Sequence, residues 1–566
     1  MNCNRWIVSI CVVLSMVCVL ASGSFGQQPR IVGHWTGLSQ SDVGDGVTGE
    51  LFDYGGSYYY DIGLDTMGRP NLVWTAPTLA TVQTNGVVKF AYWDGAVWRG
   101  MVNPQGPDSF GPGHSCQIVN TPSGPVVVYD AGNPMVVGSD LRYVLWAGTS
   151  WQQQLSTAMM QIGSKNYKVR LDGLARPHFI YVHRENRVNY LYYSFWDGTS
   201  LMGLAGSNEG EGLGQLESFG SIQNFSLALD SRAFPHIVVG STSMSPLASF
   251  YLFWDGSGWQ KVPQEVIFGF NGLAPRIAVD AGDFPHIAVL DTRQSTQDIY
   301  YAYWDGSQFV CPNRDAGGLS HSAYAWAAGE FDMAVGSYGD ANIAYRMGIT
   351  IYLRYYSRSD AKFLTYGFGD IGSGILAPPD WQANYTLMEQ TLCPKIAISP
   401  QGRVYVAYLT KFVTSSVGGV MKWRPVCRVR AFLPQRAPYP LLALDTTKRG
   451  YDMNVGDSAV SLVLGTDNQQ DEWVDTDFYL AVSEEQLLYR FSWWCLQLSL
   501  PPGFYLAPTA VFTVPITPFT EGGIFCPPVG SHTDTYVIYA GLFGRGTGDA
   551  LGPIQWVRIG ITGIRE

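Results

Sequence analysis

An alternation of apolar and polar positions recurs along most of the chain, and it is clearest between Pro275 and Val310. Two short alternating runs flank a turn at residues 281–284, and a Tyr-rich run ending at Trp304 leads through Asp305-Gly306 into a fourth run. A period of two is typical of β-strands with one buried face. Asp-Gly between such runs predicts a tight hairpin, because a type I′ turn needs positive φ at both central residues. The stretch therefore predicts four antiparallel strands.

This four-strand pattern repeats. Tryptophan precedes the last turn at intervals of 53, 50, 58 and 50 residues, at Trp93, Trp146, Trp196, Trp254 and Trp304. Proline opens the second strand at intervals of 55, 52, 58 and 50 residues, at Pro70, Pro125, Pro177, Pro235 and Pro285. Two weaker copies lie at residues 331–346 and 395–408. Four-stranded units with this period are typical of propeller blades, since a single sheet cannot bury both faces alone. We predict an all-β fold with a seven-bladed β-propeller, and eight blades is the alternative.

The segments outside the repeats set the domain boundaries. We expect the propeller over residues 27–435, with residues 31–60 supplying a strand that completes the last blade and closes the ring. A basic, Pro-rich composition at residues 424–440 marks the end of the repeats, and residues 436–449 are expected to form a linker. Short, well-separated strands with turn signals between them predict a β-sandwich over residues 450–566.

The first 26 residues have the pattern of a secretory signal peptide, with Arg5, an apolar run from Ile7 to Leu20 and small residues before position 27. The apolar run is shorter than the about 20 residues that an ordinary spanning helix needs, so an uncleaved anchor is the less favoured alternative. We expect a secreted or cell-surface protein, extracellular or periplasmic, with no membrane span after signal cleavage.

The charge of the chain limits the partners that we expect, and its cysteine count limits the number of disulfides. The net charge is −11, and charged residues make up 14% of the chain, against about 25% in ordinary soluble domains. Because nucleic-acid binding depends on clustered Lys and Arg, a nucleic-acid partner is not expected. Nine cysteines less Cys3, Cys11 and Cys18 leave six, which is too sparse for a disulfide scaffold, and Cys495 with Cys526 is the first pair to test.

Two stretches are candidates for ligand binding. Residues 363–390 form a long insertion, and long excursions from a rigid scaffold often carry binding function. The candidate binding residues there are Asp380, Trp381 and Tyr385. An acidic, Gly-rich stretch could hold Ca²⁺ through carboxylate oxygens, and its candidate ligands are Asp42, Asp45 and Glu50. The stretch lacks the D-x-D-x-D-G spacing, so a solvated loop is favoured and no cofactor is expected.

Certain side chains recur at one place in successive repeats. His178, His236 and His286 each follow the strand-opening proline. They could suggest a metal site, but equivalent positions in adjacent blades lie far apart, so we expect each imidazole to satisfy neighbouring backbone groups. The repeated tryptophans are expected to fill the seams between blades rather than to stack on sugars. Three aspartates fall in the first turn, where a short side chain caps the backbone: Asp65, Asp230 and Asp280.

The repeats, with their D-x-x-G-x-P-H-I and Y-x-W-D-G-x-x-W motifs, resemble those of secreted bacterial β-propeller repeat proteins. They are more distantly similar to sialidase-like and lectin propellers. The sialidase Asp-box places Trp after the Asp-Gly, whereas Trp304 precedes Asp305-Gly306, so this resemblance implies no catalytic residue. Residues 450–560, with Val-Gly-Asp at 455–457 and Asp-Phe-Tyr-Leu-Ala-Val at 477–482, resemble an Ig-like C-terminal module of secreted bacterial proteins.

These patterns favour an extracellular binding or scaffolding protein that recognises a glycan or a protein at the cell surface through its propeller loops. One alternative is a propeller-type glycoside hydrolase or lyase. A hydrolase needs two carboxylates near the propeller axis, about 5 Å or about 6.5 to 9.5 Å apart. The carboxylate candidates are Asp61, Asp172, Glu185, Asp230 and Asp291. Because no nucleophile–base motif is present, no catalytic residue is assigned and an enzyme is the less favoured class.

The other alternative is a structural subunit of an extracellular assembly. An open sandwich edge can pair with a strand of another chain, so the C-terminal sandwich would be the docking element. A homo-oligomer or a larger assembly is consistent with this alternative.

Overall fold

The structure is a computed structural model that describes residues 30–31, 34–39, 46–48, 51, 59–77, 86–131, 141–157, 162–185, 188–210, 212–213, 215–216, 225–240, 250–270, 272–291, 298–314, 318–319, 330–337, 339–347, 350–358, 361–366, 390–417, 420–433, 441–446, 450–452, 460–467, 474–484, 487–500, 505–514, 530–545 and 555–565. The chain divides into two compact units. We call Thr36–Leu364 with Pro379–Phe432 the repeat unit. The other unit comprises Met1–Trp35, Thr365–Pro378 and Leu433–Glu566, and we call it the C-terminal unit after its largest segment.

The described residues between 60 and 433 form strands in successive antiparallel groups, and β1 (Arg30–Ile31) and β2 (His34–Gly37) precede them in the chain. The first two groups are β3 (Tyr60–Leu64), β4 (Pro70–Ala76), β5 (Gly86–Trp93) and β6 (Trp98–Arg99), then β7 (Asp108–Thr121), β8 (Gly124–Asp130), β9 (Leu141–Trp146) and β10 (Trp151–Thr157). The third group is β11 (Ile162–Leu171), β12 (Pro177–Glu185), β13 (Val188–Trp196) and β14 (Leu201–Met202), with β15 (Gln215–Leu216) beside β13.

The fourth group is β16 (Phe225–Leu229), β17 (Pro235–Val239), β18 (Phe250–Trp254) and β19 (Trp259–Pro263), followed by the short helix α1 (Gln264–Phe268). The last three groups are β20 (Leu273–Val279), β21 (Pro285–Asp291), β22 (Asp298–Trp304) and β23 (Phe309–Val310), then β24 (Phe331–Val335), β25 (Ala341–Met347), β26 (Thr350–Ser357) and β27 (Lys362–Tyr366), then β28 (Gln390–Ile398), β29 (Val404–Val417) and β30 (Val420–Leu433). The chain is thus all-β, with four-stranded antiparallel sheets of the kind that form propeller blades.

The seventh group has three consecutive strands and takes its fourth from the N-terminal side, because the sheet order is β2-β30-β29-β28. Residues between β2 and β3 also form hydrogen bonds to β30. Val47 N–H donates to the Cys427 carbonyl at 3.0 Å, and Leu51 N–H donates to the Pro425 carbonyl at 2.8 Å. An N-terminal segment therefore covers the outer strand of the last group.

The middle strand β8 shows how the groups pack. Successive side chains of a strand point to opposite faces. Val126 and Val128 accordingly enter the core shared with the third group, whereas Val127 and Tyr129 enter the core shared with the first. The same alternation buries side chains between groups three and four, four and five, and five and six, and a further core joins the seventh group to the first.

The first turns of groups one, three, four and five carry an aspartate cap. Oδ1 of Asp65 accepts hydrogen bonds from the N–H groups of Met67 at 2.9 Å and Arg69 at 2.8 Å. Asp172, Asp230 and Asp280 accept the same pair from the second and fourth residues after them. The capping prediction for Asp65, Asp230 and Asp280 is confirmed.

The Asp-Gly turn is a hairpin, but the type I′ prediction is wrong. Trp304 pairs with Phe309, which leaves a four-residue loop instead of two residues. Of the pair, Gly306 has positive φ, at 107°, and Asp305 does not. Instead, Asp305 Oδ1 accepts hydrogen bonds from the N–H groups of Ser307 and Gln308, at 2.8 and 2.9 Å. The side-chain cap replaces the second positive φ.

The C-terminal unit contains two sheets. Their strands are β31 (Leu441–Thr446), β32 (Gly450–Asp452), β33 (Val460–Asp467), β34 (Val474–Glu484), β35 (Leu487–Leu500), β36 (Tyr505–Val514), β37 (Gly530–Gly544) and β38 (Gln555–Arg565). The sheet orders are β31-β33-β36 and β32-β38-β37-β34-β35. Part of the expected linker, residues 436–449, is strand β31, whose apolar Leu-Leu-Ala-Leu run pairs with β33. The Ig-like sandwich stays a prediction.

Helices in the described part of the chain are too short to cross a membrane.

Candidate functional site

The first strand of each group carries one side chain at a common register, four residues before the first residue of its turn. These turns begin at Asp65, Thr121, Asp172, Asp230, Asp280, Gly336 and Ser399. The residues at the common register are Asp61, Gln117, Lys168, Ser226, Arg276, Asp332 and Lys395. Six of the seven are partly exposed, although their strand neighbours on either side are mostly buried. The alternation along these strands therefore directs polar side chains away from the seams.

These side chains reach from one first strand to the next. Four of them accept a hydrogen bond from a backbone N–H of the following first strand. The contacts, at 3.2 to 3.3 Å, join Asp61 to Ile118, Gln117 to Val169, Ser226 to Ile277 and Asp332 to Ile396. The consecutive first strands are thereby held together by polar side chains, in addition to the cores of the seams.

Arg170, two residues after Lys168 on the same face of β11, adds a further charge. We call the charged residues at the common register, together with Arg170, the first-strand cluster: Asp61, Lys168, Arg170, Arg276, Asp332 and Lys395. It contains four cations and two carboxylates. The cluster is therefore positive within a chain whose net charge is −11.

Lys168 is the most perturbed member. Burial lowers its pKa to about 7, and the positive charges of Lys395 and Arg276 act in the same direction. Asp61 opposes this shift. Since β11, β20, β28 and β3 each contribute one of these charges, four first strands present side chains to one shared region. A lysine amine with this pKa is partly neutral near pH 7.

The two carboxylates have different surroundings. Burial raises the pKa of Asp61, against the lowering effects of Lys395 and of the hydrogen bond from Ile118. Asp332 is held on both oxygens, because Arg276 Nε lies 3.3 Å from Oδ1 and Ile396 N–H donates to Oδ2 at 3.2 Å. Of the predicted carboxylate candidates, Asp61 belongs to this cluster.

A second ion pair lies next to the cluster, at the start of β24 and on β25. Glu330 Oε2 is 3.2 Å from Arg346 Nη1 and accepts a hydrogen bond from Cys393 N–H at 2.8 Å. The Tyr60 hydroxyl donates to the Cys393 carbonyl. Burial raises the pKa of the Cys393 thiol to about 12, so this thiol is not a nucleophile near neutral pH.

Other predicted carboxylates have structural roles or lie elsewhere. Asp172 and Asp230 cap turns, and their side chains are each 1% exposed. Asp291 is buried at the end of β21, and Glu185 ends β12. None of these four residues lies on a first strand, so they do not join the cluster.

The repeated histidines are structural, but their partners are side chains rather than the expected backbone groups. Nδ1 of His178, His236 and His286 lies 2.6 Å from the hydroxyl of Tyr193, Tyr251 and Tyr301, respectively. Nε2 of His178 and His286 faces the turn-capping aspartate, at 3.5 Å from Asp172 and 3.3 Å from Asp280. The backbone groups near each histidine are already paired within the sheet, so the imidazole bonds to a side chain of the neighbouring strand.

The seam prediction for the repeated tryptophans needs a correction. Trp196 packs on a seam core, but in other repeats the aromatic residue after the turn does so. These seam residues are Trp98, Trp151, Trp259 and Phe309. Trp93, Trp146, Trp254 and Trp304 are partly exposed and pack edge-on or tilted against them, at 5.2 to 5.9 Å between ring centroids.

Several predicted site residues lie outside the described residues. These are the binding candidates Asp380, Trp381 and Tyr385, the Ca²⁺ candidates Asp42, Asp45 and Glu50, and Cys526 of the predicted disulfide. Their predictions stand as predictions. Within the ranges that the structure describes, no group of three or more His, Cys, Asp or Glu side chains could hold a metal ion.

Sequence reasoning missed Lys168, Arg170, Arg276 and Lys395. A usable signal was present, because each first strand alternates and ends at a recognisable turn. Counting back four residues from that turn finds the common register. The charge sum at that register then identifies the cluster.

No protein family model matches the chain, and no curated protein sequence matches it. Similarity to solved structures is distant. The polysaccharide lyase Uly1 has a TM-score of 0.40 at 9% identity, over 72% of this chain and 98% of that one. A GH74 xyloglucanase from Xanthomonas campestris has a TM-score of 0.37 at 11% identity, over 93% of this chain and 83% of that one.

An α-L-arabinanase from Penicillium chrysogenum, solved with arabinobiose, has a TM-score of 0.32 at 8% identity, over 71% of this chain and 97% of that one. These neighbours are propeller-type glycan-active proteins, and the similarity to them is distant. At such scores the similarity carries no argument about chemistry. The function of this chain has to be inferred from its own residues.

Proposed function

We propose that this chain is a secreted seven-bladed β-propeller with a C-terminal sandwich, and that it binds an acidic glycan at the first-strand cluster. Seven groups of strands, a core joining the seventh group to the first, and β2 at the edge of the last sheet support the closed propeller. The signal-peptide pattern of residues 1–26 supports secretion. In a closed propeller the first strands line the central channel.

The observation that carries the proposal is the charge of the cluster. Four cations face two carboxylates, and one carboxylate, Asp332, is already paired with Arg276. The surplus positive charge sits in a confined region where solvent screens it less than at the surface. A carboxylate or sulfate group of a glycan would relieve the mutual repulsion of Lys168, Lys395 and Arg276. A neutral glycan would not.

Isothermal titration with trigalacturonate, and with maltotriose as the neutral counterpart, tests the proposal. We expect trigalacturonate to bind and maltotriose to bind at least tenfold more weakly. Lys168→Met should weaken trigalacturonate binding by roughly ten- to hundredfold, since a hydrogen bond to a charged group contributes roughly 1.5 to 3 kcal/mol. Lys261→Met, which removes an exposed lysine from β19, is the matched control and should bind like the parent. Equal binding of both sugars, or no binding of either, would contradict the proposal.

A lyase acting on the same glycan class is a second candidate, favoured by the pKa of Lys168. A general base works best with a pKa near the operating pH. The neutral Lys168 amine would take the proton next to a uronate carboxylate. The electron pair would form a C=C bond as the glycosidic C–O bond breaks, and water would protonate the leaving oxygen. Neighbouring cations would stabilise the charge that develops on the carboxylate.

Incubation with polygalacturonate separates the two candidates. A lyase releases unsaturated ends whose ultraviolet absorbance increases with time, and Lys168→Met should abolish that increase. A binding protein gives no increase, although trigalacturonate still binds.

A further inference from the structure

A second concave feature lies between the first two groups of strands, on the side of their first turns. It is a cleft of about 240 Å³. Its lining includes Asp65, Arg69, Asn71 and Tyr92 from the first group, and the turn 121–125 with Trp146 from the second. None of these residues belongs to the first-strand cluster, so the cleft is independent of the proposed acidic-glycan site.

The cleft coincides with a shortened turn. Leu64 pairs with Pro70 across five residues, and the turns of groups three to seven also span five. In the second group, Asn120 pairs with Pro125 across four residues. The missing residue leaves space beside the longer turn of the first group. A Cβ on Gly124 would lie 2.8 Å from Trp146 Cδ1, so the tryptophan rests against the bare backbone of the short turn.

Asn71 lines the cleft and carries an enclosed acceptor without a partner. The residue is 2% exposed, and its Nδ2 donates to Asn120 Oδ1 at 2.8 Å, but Oδ1 has no partner. At the same register, groups three to five have a histidine bonded to a tyrosine hydroxyl. In the first group, Phe90 stands at the tyrosine position and has no hydroxyl. A buried acceptor without a donor costs free energy, which a ligand hydroxyl would recover.

The charge and shape of the cleft indicate the ligand. Asp65 is neutralised by Arg69, with Nε 2.7 Å from Oδ2, so this pair adds no net charge. Trp146 is partly exposed and lines the cleft, and the apolar face of an indole ring suits the C–H face of a sugar. The volume is below the roughly 300 Å³ at which drug-sized pockets begin, which suits one ring rather than a chain.

We propose that this cleft binds a single neutral sugar residue, with one face on Trp146 and, after the enclosed Asn71 amide turns toward the cleft, a hydroxyl donating to Asn71 Oδ1. The chain should give saturation-transfer NMR signals that level off with increasing ligand concentration for at least one of the methyl glycosides of glucose, galactose, mannose and fucose. Trp146→Ala should weaken that binding by at least tenfold. Trp254→Ala is the matched control, because Trp254 is the equivalent residue of the fourth group and does not line the cleft.

Asn71→Leu provides the second variant. It removes the acceptor and should weaken binding by about tenfold, with circular dichroism and the unfolding midpoint showing that the fold is kept. The proposal is overturned if none of the four glycosides binds saturably, or if Trp254→Ala weakens binding as much as Trp146→Ala. Retained binding by a folded Asn71→Leu variant would overturn the assigned hydrogen bond. Loss of trigalacturonate binding is not expected in any of these variants, so failure here and failure at the first-strand cluster are distinguishable.

Discussion

Replacing His236 with Asn should change how stability depends on pH. His236 is 7% exposed and lies between Tyr251, whose hydroxyl is 2.6 Å from Nδ1, and the turn that contains Asp230. Burial, together with the smaller effect of the Arg232 charge, lowers the pKa of His236 from 6.5 to about 4, against the opposing charges of Asp230 and Asp283. Asparagine is a conservative test, since it stands at this register in the first and sixth groups, as Asn71 and Asn342.

The direction in which stability changes with pH follows from the depressed pKa of His236. Above pH 6.5 the imidazole is neutral in both the folded and the unfolded chain, so its titration has no effect on stability. Below pH 6.5 the unfolded chain binds a proton that the folded chain does not, and each pH unit costs about 1.36 kcal/mol. From pH 6.5 to about 4 the folded state should lose roughly 3 kcal/mol through His236. The His236→Asn variant has no titrating group at this position and would lose nothing through it.

At pH 7.5 the variant should be less stable than the parent by about 1 to 2 kcal/mol, because the tyrosine loses its ring partner and some volume is left empty. At pH 4 the order should reverse by a similar amount. Urea unfolding from pH 4 to pH 8, followed by circular dichroism, measures the difference. Tyr251→Phe is the control, since it removes the hydrogen bond and keeps the imidazole, so its deficit relative to the parent should vary less with pH. A parent-to-variant difference that stays constant from pH 7.5 to pH 4 would refute the reasoning.

Three further outcomes are expected. Ala175→Gly and Ala233→Gly should each stabilise the fold by about 0.5 to 1 kcal/mol, measured as the urea midpoint, because these alanines have φ of 63° and 66° where equivalent turns have glycine. Asp172→Ala should lower the free energy of unfolding by about 2 to 3 kcal/mol, because the side chain is 1% exposed and bonds to two backbone N–H groups and to Arg176. Asp197→Ala, in an exposed turn, should have a smaller effect. Trigalacturonate affinity should fall several-fold between pH 6 and pH 8 as Lys168 loses its proton, and an affinity independent of pH would exclude that lysine from the site.

Local chemistry explains which predictions succeeded. The capping aspartates act within four residues of themselves, so their role is readable from the sequence; Asp65 bonds to Met67 and Arg69. The histidine partners are not readable in this way, because Tyr251 lies on the neighbouring strand, 15 residues from His236. The turn at Asp305 shows a third case, in which a side-chain cap competes with the backbone geometry that Asp-Gly usually adopts.

The first-strand cluster was missed because its members are far apart in sequence and ordinary one by one. Lys168 and Lys395 are 227 residues apart, yet the charge of Lys395 disfavours the charged form of Lys168. No local window contains both. Once seven turns are aligned, however, the same register collects five of the cluster's six charges, and Arg170 lies two residues further along β11. The information is in the sequence, but only the repeat alignment brings it together.

The two proposed sites both lie at positions where the groups of strands differ from one another. Turn caps and seam residues are nearly the same in each group, because every group has to solve the same packing problem. Function then has to use positions that the packing problem leaves free. The first-strand register is one such position, and its residues vary from Asp to Lys across the groups. The cleft is the other position. There the second group has one turn residue fewer, and the first group has Asn71 and Phe90 in place of the His–Tyr pair of groups three to five. An unpartnered buried acceptor is a deviation from the repeat that costs stability, and a ligand bound at that place would explain why it is kept.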